Sequence, residues 1–180
     1  GGVKKVMFTD ENSSSGASLG DVDAGAKLDT LTIKILDSKV ESTDEIRIVG
    51  VKNGCNDDLV VNLSNTSLSD SFVLNGITFN VATTNPGGDT HQTTILTSSP
   101  IDIPDMEAVL DKIAYNNTSP TPDNSLTKVF DVSVKDDTNT ETPTAAQFTV
   151  TVVPTNDLPI VDINGAGSGN DNAISFTEID

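Results

Sequence analysis

Tryptophan is missing from this 180-residue chain, and tyrosine, histidine and cysteine occur once each. Each shortage removes a class of function. Cys55 has no second thiol to pair with, so no internal disulfide forms. Any His-assisted serine or cysteine nucleophile would have to draw on His91 or Cys55. Both sit in polar loop sequence, NPGGDTHQ (85–92) and NGCNDD (53–58), with no sign of a strained nucleophile turn. The chain therefore reads as a non-enzyme, with Cys55 packed against its loop neighbours and His91 an exposed polar residue. A paired-carboxylate glycosidase needs only two acids and is left open by sequence, but one Tyr and no Trp leave little of the aromatic platform that sugar binding uses. Basic residues are scarce too: 10 against 27 acidic residues give a formal charge of −17. That balance argues against nucleic acid and anionic membranes as partners and suits cations. No apolar run approaches a transmembrane span or the core of a signal peptide, so no direct membrane insertion is expected. A start at Gly1-Gly2 is expected of a piece excised from something longer.

What the chain does have is strand signal. Residues 3–10 (VKKVMFTD) alternate with Val6 and Phe8 inward, and LTIKILD (31–37), EIRIVG (45–50) and LVVNLS (59–64) follow. In FVLNGITFNV (72–81), Asn75-Gly76 between two apolar alternations predicts a tight hairpin. Many short strands separated by turn residues indicate a β-sandwich.

One segment breaks the pattern. In IPDMEAVLDKIAYNN (103–117), Met106, Val109, Leu110 and Ile113 recur at helical spacing, and Pro104 and Asp105 suit a helix start, so about two turns are expected before Tyr115. Its expected role is to close one edge of the sandwich. The loop at 85–92, punctuated by Pro86, Gly87 and Gly88, is the expected variable surface. The sequons Asn62-Leu63-Ser64 and Asn117-Thr118-Ser119 matter only in a glycosylating secretory pathway.

Residues 130–159, FDVSVKDDTNTETPTAAQFTVTVVPTNDLP, organise the rest. Phe130, Val132 and Val134 alternate with polar residues, then Phe148, Val150 and Val152 do so on the return, with Asp136 and Asp137 in the turn between. The second strand stops at Pro154, and Asn156 and Asp157 follow at once. Oxygen ligands thus stand at opposite ends of one domain. A V-x-V-x-D strand, an acidic turn and a last strand running into P-x-N-D-x-P resemble the cadherin-like repeats of large bacterial surface adhesins and, more distantly, animal cadherins. DVDAGAKLDTLTIKI (21–35) is similar to the D-x-D-x-G segment of such repeats, and FTDEN (8–12) to their acidic first strand. One position departs: Pro154 stands where the animal linker carries an acid two residues before Asn-Asp.

The resemblance implies an all-β, Greek-key sandwich of the cadherin or immunoglobulin type with one short helix. It also implies residues 1–157 as one repeat and 158–180 as a linker plus the opening strand of the next. NGAGSGNDN (164–172) has linker composition, and placing Phe176 on Phe8 puts Thr177 on Thr9 and Glu178 on Asp10. By the same resemblance the cofactor is calcium, a hard ion that takes six to eight oxygens gathered from separate loops. The implied ligands are Asp10 or Glu11 in the first strand, Asp21 and Asp23 in the D-x-D, Asp136 or Asp137 in the acidic turn, and Asn156 with Asp157 in the linker. The D-x-D and the turn would serve the top of the repeat, and the linker and first-strand acid the bottom. Acids in these positions otherwise act as solvated turn residues that keep the chain soluble. Other calcium signatures fail: DINGAGSGNDNA (162–173) opens like an EF-hand loop but has Ala166 and Ala173 at the fifth and twelfth positions, leaving Asp162 and Asp171 as minor ligands at most.

The expected function is a calcium-stiffened spacer repeat of an extended extracellular adhesin, whose partners are neighbouring repeats of the same chain. The rival is a recognition module that binds a cell-surface glycan or protein through the loop at 85–92 or an edge strand.

Overall fold

The computed structural model describes residues 5–6, 19, 25–85, 89–119, 121–123, 127–138 and 145–152. Two antiparallel sheets face each other across an apolar core. The smaller has the order β1-β8-β3-β4, from Lys5–Val6, Ile113–Asn117, Asp44–Lys52 and Asp57–Asn62. The larger has the order β10-β9-β2-β7-β6-β5, from Ala146–Thr151, Thr127–Asp136, Lys27–Leu36, Thr90–Asp102, Ile77–Thr84 and Ser69–Leu74. An all-β sandwich with one short helix is what the strand patterns predict, and it is what forms.

Period-two alternation decides which side chains fill the middle. Leu31, Ile33 and Ile35 of β2, Ile46 and Ile48 of β3, Leu59 and Val61 of β4, and Phe130 and Val132 of β9 all point between the sheets and are buried. Each fully buried Leu, Ile or Phe contributes about 1.5–3 kcal/mol by leaving water. Asn75 and Gly76 both take positive φ, 52° and 80°, which is the two-residue hairpin turn that matches strand twist. The turn sets the register Phe72↔Phe79, and the two rings stack with centroids 5.0 Å apart.

Bulges bend the strands at two places. In β2 the register slips between Leu28 and Thr30 against both neighbours. In β3 it slips between Ile48 and Lys52, where Gly50 sits at φ 63° and donates its N–H to Asp58 Oδ1 at 3.0 Å. The β3–β4 turn then runs through three left-handed residues, Asn53, Gly54 and Cys55, closed by Asn56 N–H donating to the Lys52 carbonyl at 3.1 Å.

Helix α1, Ile103–Leu110, carries the chain from β7 to β8 and buries Met106, Val109 and Leu110. Pro104 occupies its first turn as expected, while Ile113 belongs to β8 and not to the helical face. Three further expectations are corrected. His91 is buried within β7 and is not an exposed loop residue. Thr90, His91 and Gln92 are strand, so the proposed variable loop is shorter than 85–92. Cys55 is exposed at the turn tip instead of packed.

Register also defines two ends. Leu28 lies opposite Asp136 and Ile101, which puts Lys27, Asp102, Asp136 and Asp137 at one end. Thr151 lies opposite Thr127, so β10 runs out of the sandwich at the other. Residues 158–180 lie outside the described residues.

Candidate functional site

At the first end, acidic residues surround one cation. Asp136 closes β9, and its Oδ1 accepts hydrogen bonds from Thr138 N–H at 2.9 Å and Thr138 Oγ1 at 2.8 Å, a local turn fixed by its own side chain. The next residue, Asp137, is exposed and donates its N–H to the Lys27 carbonyl at 3.1 Å. Lys27 Nζ sits 2.8 Å from Asp102 Oδ1, with both side chains well exposed. The hydrogen bond and attraction to Asp102 raise the Lys27 ammonium above its ordinary value, with Asp137 and Asp105 adding to the shift. Asp105 in turn accepts from Asn75 Nδ2 at 3.4 Å.

Two of the eight candidate ligands, Asp136 and Asp137, are therefore adjacent at this end. Asp10, Glu11, Asp21, Asp23, Asn156 and Asp157 lie outside the described residues. The described flanks of the D-x-D segment are held here: Leu19 donates its N–H to Glu107 Oε1 of α1 at 2.8 Å, and Lys27 is held as above. Among the described residues, no group of three or more His, Cys, Asp or Glu side chains could hold a metal ion. The donors present are all oxygen, which suits a hard cation, but Asp136 and Asp137 alone fall short of six to eight. Asp102 belongs to no motif in the sequence, and its ion pair with Lys27 brings it into this end.

The opposite end holds a second cluster, centred on an ion pair buried inside the sandwich. Lys128 of β9 and Asp44 of β3 are both 0% exposed, and Lys128 Nζ lies 2.8 Å from Asp44 Oδ2. Nζ also donates to the Lys39 carbonyl at 2.7 Å and to Glu41 Oε2 at 3.1 Å. Asp44 Oδ2 takes the Glu41 N–H at 2.8 Å, and its Oδ1 accepts from the Tyr115 hydroxyl and from Asn117 Nδ2, the latter at 2.7 Å. Asn117 Nδ2 reaches Glu41 Oε2 at 3.2 Å, and Asn117 Oδ1 accepts the Ser119 N–H at 2.8 Å. Burial, then the hydrogen bond to Asp44, push the Tyr115 phenol well above its usual value. No buried side-chain nitrogen or oxygen among the described residues lacks a partner.

No family model, curated protein or solved structure matches this chain. The signal for the buried cluster was nevertheless present in the strand period. Lys128 stands two residues before Phe130, Asp44 two before Ile46, and Tyr115 and Asn117 two and four after Ile113. Alternation alone puts all four on inward faces.

Proposed function

We propose that this chain is a cadherin-like, Greek-key repeat of an extended extracellular adhesin, stiffened by calcium at its junctions with neighbouring repeats. The observation that carries the reading is the polarity of the β9–β10 pair. Asp136 ends β9 and Asp137 follows it at one end, while Thr151, six residues before Asp157, ends β10 at the other. A head-to-tail array needs acidic oxygens at both poles, so that one repeat's exit meets the next repeat's acidic turn.

Calcium would bridge carboxylates that otherwise repel in a chain of net charge −17, turning a flexible string into a rod that holds a binding module away from the cell. Asp137 is the described residue best placed to contribute, with Asp21 and Asp23 joining from the segment between Leu19 and Lys27, and Asn156 with Asp157 serving the opposite junction. Calorimetric titration of the protein with calcium tests this. Saturable heat that Asp137→Asn weakens, and that magnesium does not reproduce, is expected. A titration without calcium-specific heat at millimolar ion sinks the reading.

A further inference from the structure

The cluster at the exit end contains more than an ion pair. It holds a primary amine, a carboxamide and two carboxylates with polar atoms in mutual hydrogen-bond contact, walled by Phe130, whose ring centroid lies 6.1 Å from that of Tyr115. We infer that Lys128 and Asn117 form a covalent amide cross-link between the two sheets, with Asp44 as the proton carrier.

Each participant has its role set by a distance. One carboxylate, Asp44, touches both reacting groups: Oδ2 the amine at 2.8 Å and Oδ1 the amide nitrogen at 2.7 Å. A second, Glu41 Oε2, touches the same two nitrogens at 3.1 and 3.2 Å, so amine and amide converge on a shared oxygen. The Asn117 carbonyl oxygen faces the Ser119 N–H at 2.8 Å, a donor aimed at the atom where negative charge builds when Cγ is attacked. Holding the groups in one folded site where Lys128, Asp44 and Asn117 are buried replaces a bimolecular encounter with an intramolecular one. Asp44 Oδ2, 2.8 Å from the amine, is placed to take a proton from it, which frees the nucleophilic lone pair.

The chemistry balances without any added reactant. Lys128 Nζ starts as an ammonium with three protons and keeps one. It gives the first to Asp44 Oδ2, attacks Asn117 Cγ, and gives up the second as the tetrahedral centre collapses. Asp44 passes both to Asn117 Nδ2, the Cγ–Nδ2 bond breaks, and the nitrogen departs as ammonium while Asp44 returns to its starting state. No electrons change hands. Asn117 lies on β8, which pairs with β1, and Lys128 on β9, which pairs with β10. The bond would therefore pin the sheets together where the chain leaves the sandwich. This inference stands apart from the calcium reading.

Intact-mass spectrometry of the purified folded protein, followed by tryptic mapping, decides it. The expected result is a mass below the sequence value by one ammonia, loss of cleavage after Lys128, and fragmentation that joins Asn117 to Lys128. Lys128→Arg restores the sequence mass. The unmodified mass with normal cleavage after Lys128 overturns the inference. So does an ammonia loss that persists in Lys128→Arg, which marks cyclisation at an asparagine. Loss of one water mapped to Lys128 and a carboxylate likewise overturns Asn117 as the acceptor.

Discussion

Lys128 and Asp44 come from opposite sheets and meet at 2.8 Å with neither side chain exposed to solvent. Before the inferred cross-link forms, desolvating these two charges is expensive, and the pair is held because Glu41, the Lys39 carbonyl, Tyr115 and Asn117 satisfy the remaining donors and acceptors. Removing one partner leaves the other buried and uncompensated.

Lys128→Met is therefore expected to cost at least about 3–5 kcal/mol. Asp44→Leu should cost a similar amount, and the double variant clearly less than the sum, because it removes both charges at once. Urea unfolding of the four proteins measures the coupling. Additive losses would mean that the two residues act separately.

Tyr115 is the sole tyrosine and there is no tryptophan, so phenolate absorbance and intrinsic fluorescence report on this one site. Its value is raised in the folded state by burial and by the bond to Asp44. The neutral phenol thus contributes stability that is fully present below the unfolded value, about 10, and is lost as pH rises through the folded one. Alkaline titration should show phenolate appearing late and together with unfolding. Ionisation near pH 10 with the far-ultraviolet signal unchanged would contradict the buried site.

Gly50 and Gly76 both hold positive φ, but their surroundings differ. A Cβ on Gly50 would come 3.3 Å from the Cys55 carbonyl oxygen, whereas at Gly76 it meets nothing within 4 Å. Both Ala variants incur left-handed strain of about 1–2 kcal/mol, and Gly50→Ala should lose more because the bulge must also shift. Cys55→Gly should be neutral or mildly stabilising, since Cys55 holds φ 71° at an exposed tip. Thermal midpoints of the three variants check the order.

How far the sequence could be read depended on which residues faced inward. Asn75-Gly76 and the runs around Ile33, Ile48 and Phe130 declare themselves because their inward positions are apolar. Strand β7 does not. Its inward residues at the exit end are His91 and Thr93, which look like loop chemistry until β2 and β6 flank them and burial follows. Lys128, Asp44 and Asn117 fall on inward positions by the same alternation, but which of them meet follows only from the cross-sheet packing. Asp102 was missed as a neighbour of Asp137 for another reason, since only the β2–β7 and β2–β9 registers bring the two together around Lys27, and Asp105 follows on α1.

Lys27 is the cation that the acidic end supplies for itself. If calcium takes over the same carboxylates, Lys27→Gln removes a competitor and should raise calcium affinity severalfold while lowering the midpoint in chelator. Paired titrations of the two proteins test this, and unchanged affinity would place the ion away from Lys27.

The most direct test of the central claim is thermal unfolding of the protein in calcium, in magnesium and in excess chelator. Calcium sites of extracellular modules bind at about 10⁻⁴–10⁻³ M, and a site at ten times its dissociation constant stabilises by about 1.4 kcal/mol. A domain of this size should then melt about 3–6 °C higher in about 10 mM calcium than in chelator. The account predicts that rise for calcium alone, reduced by Asp137→Asn and by Asp157→Asn. Equal midpoints in all three conditions would contradict it.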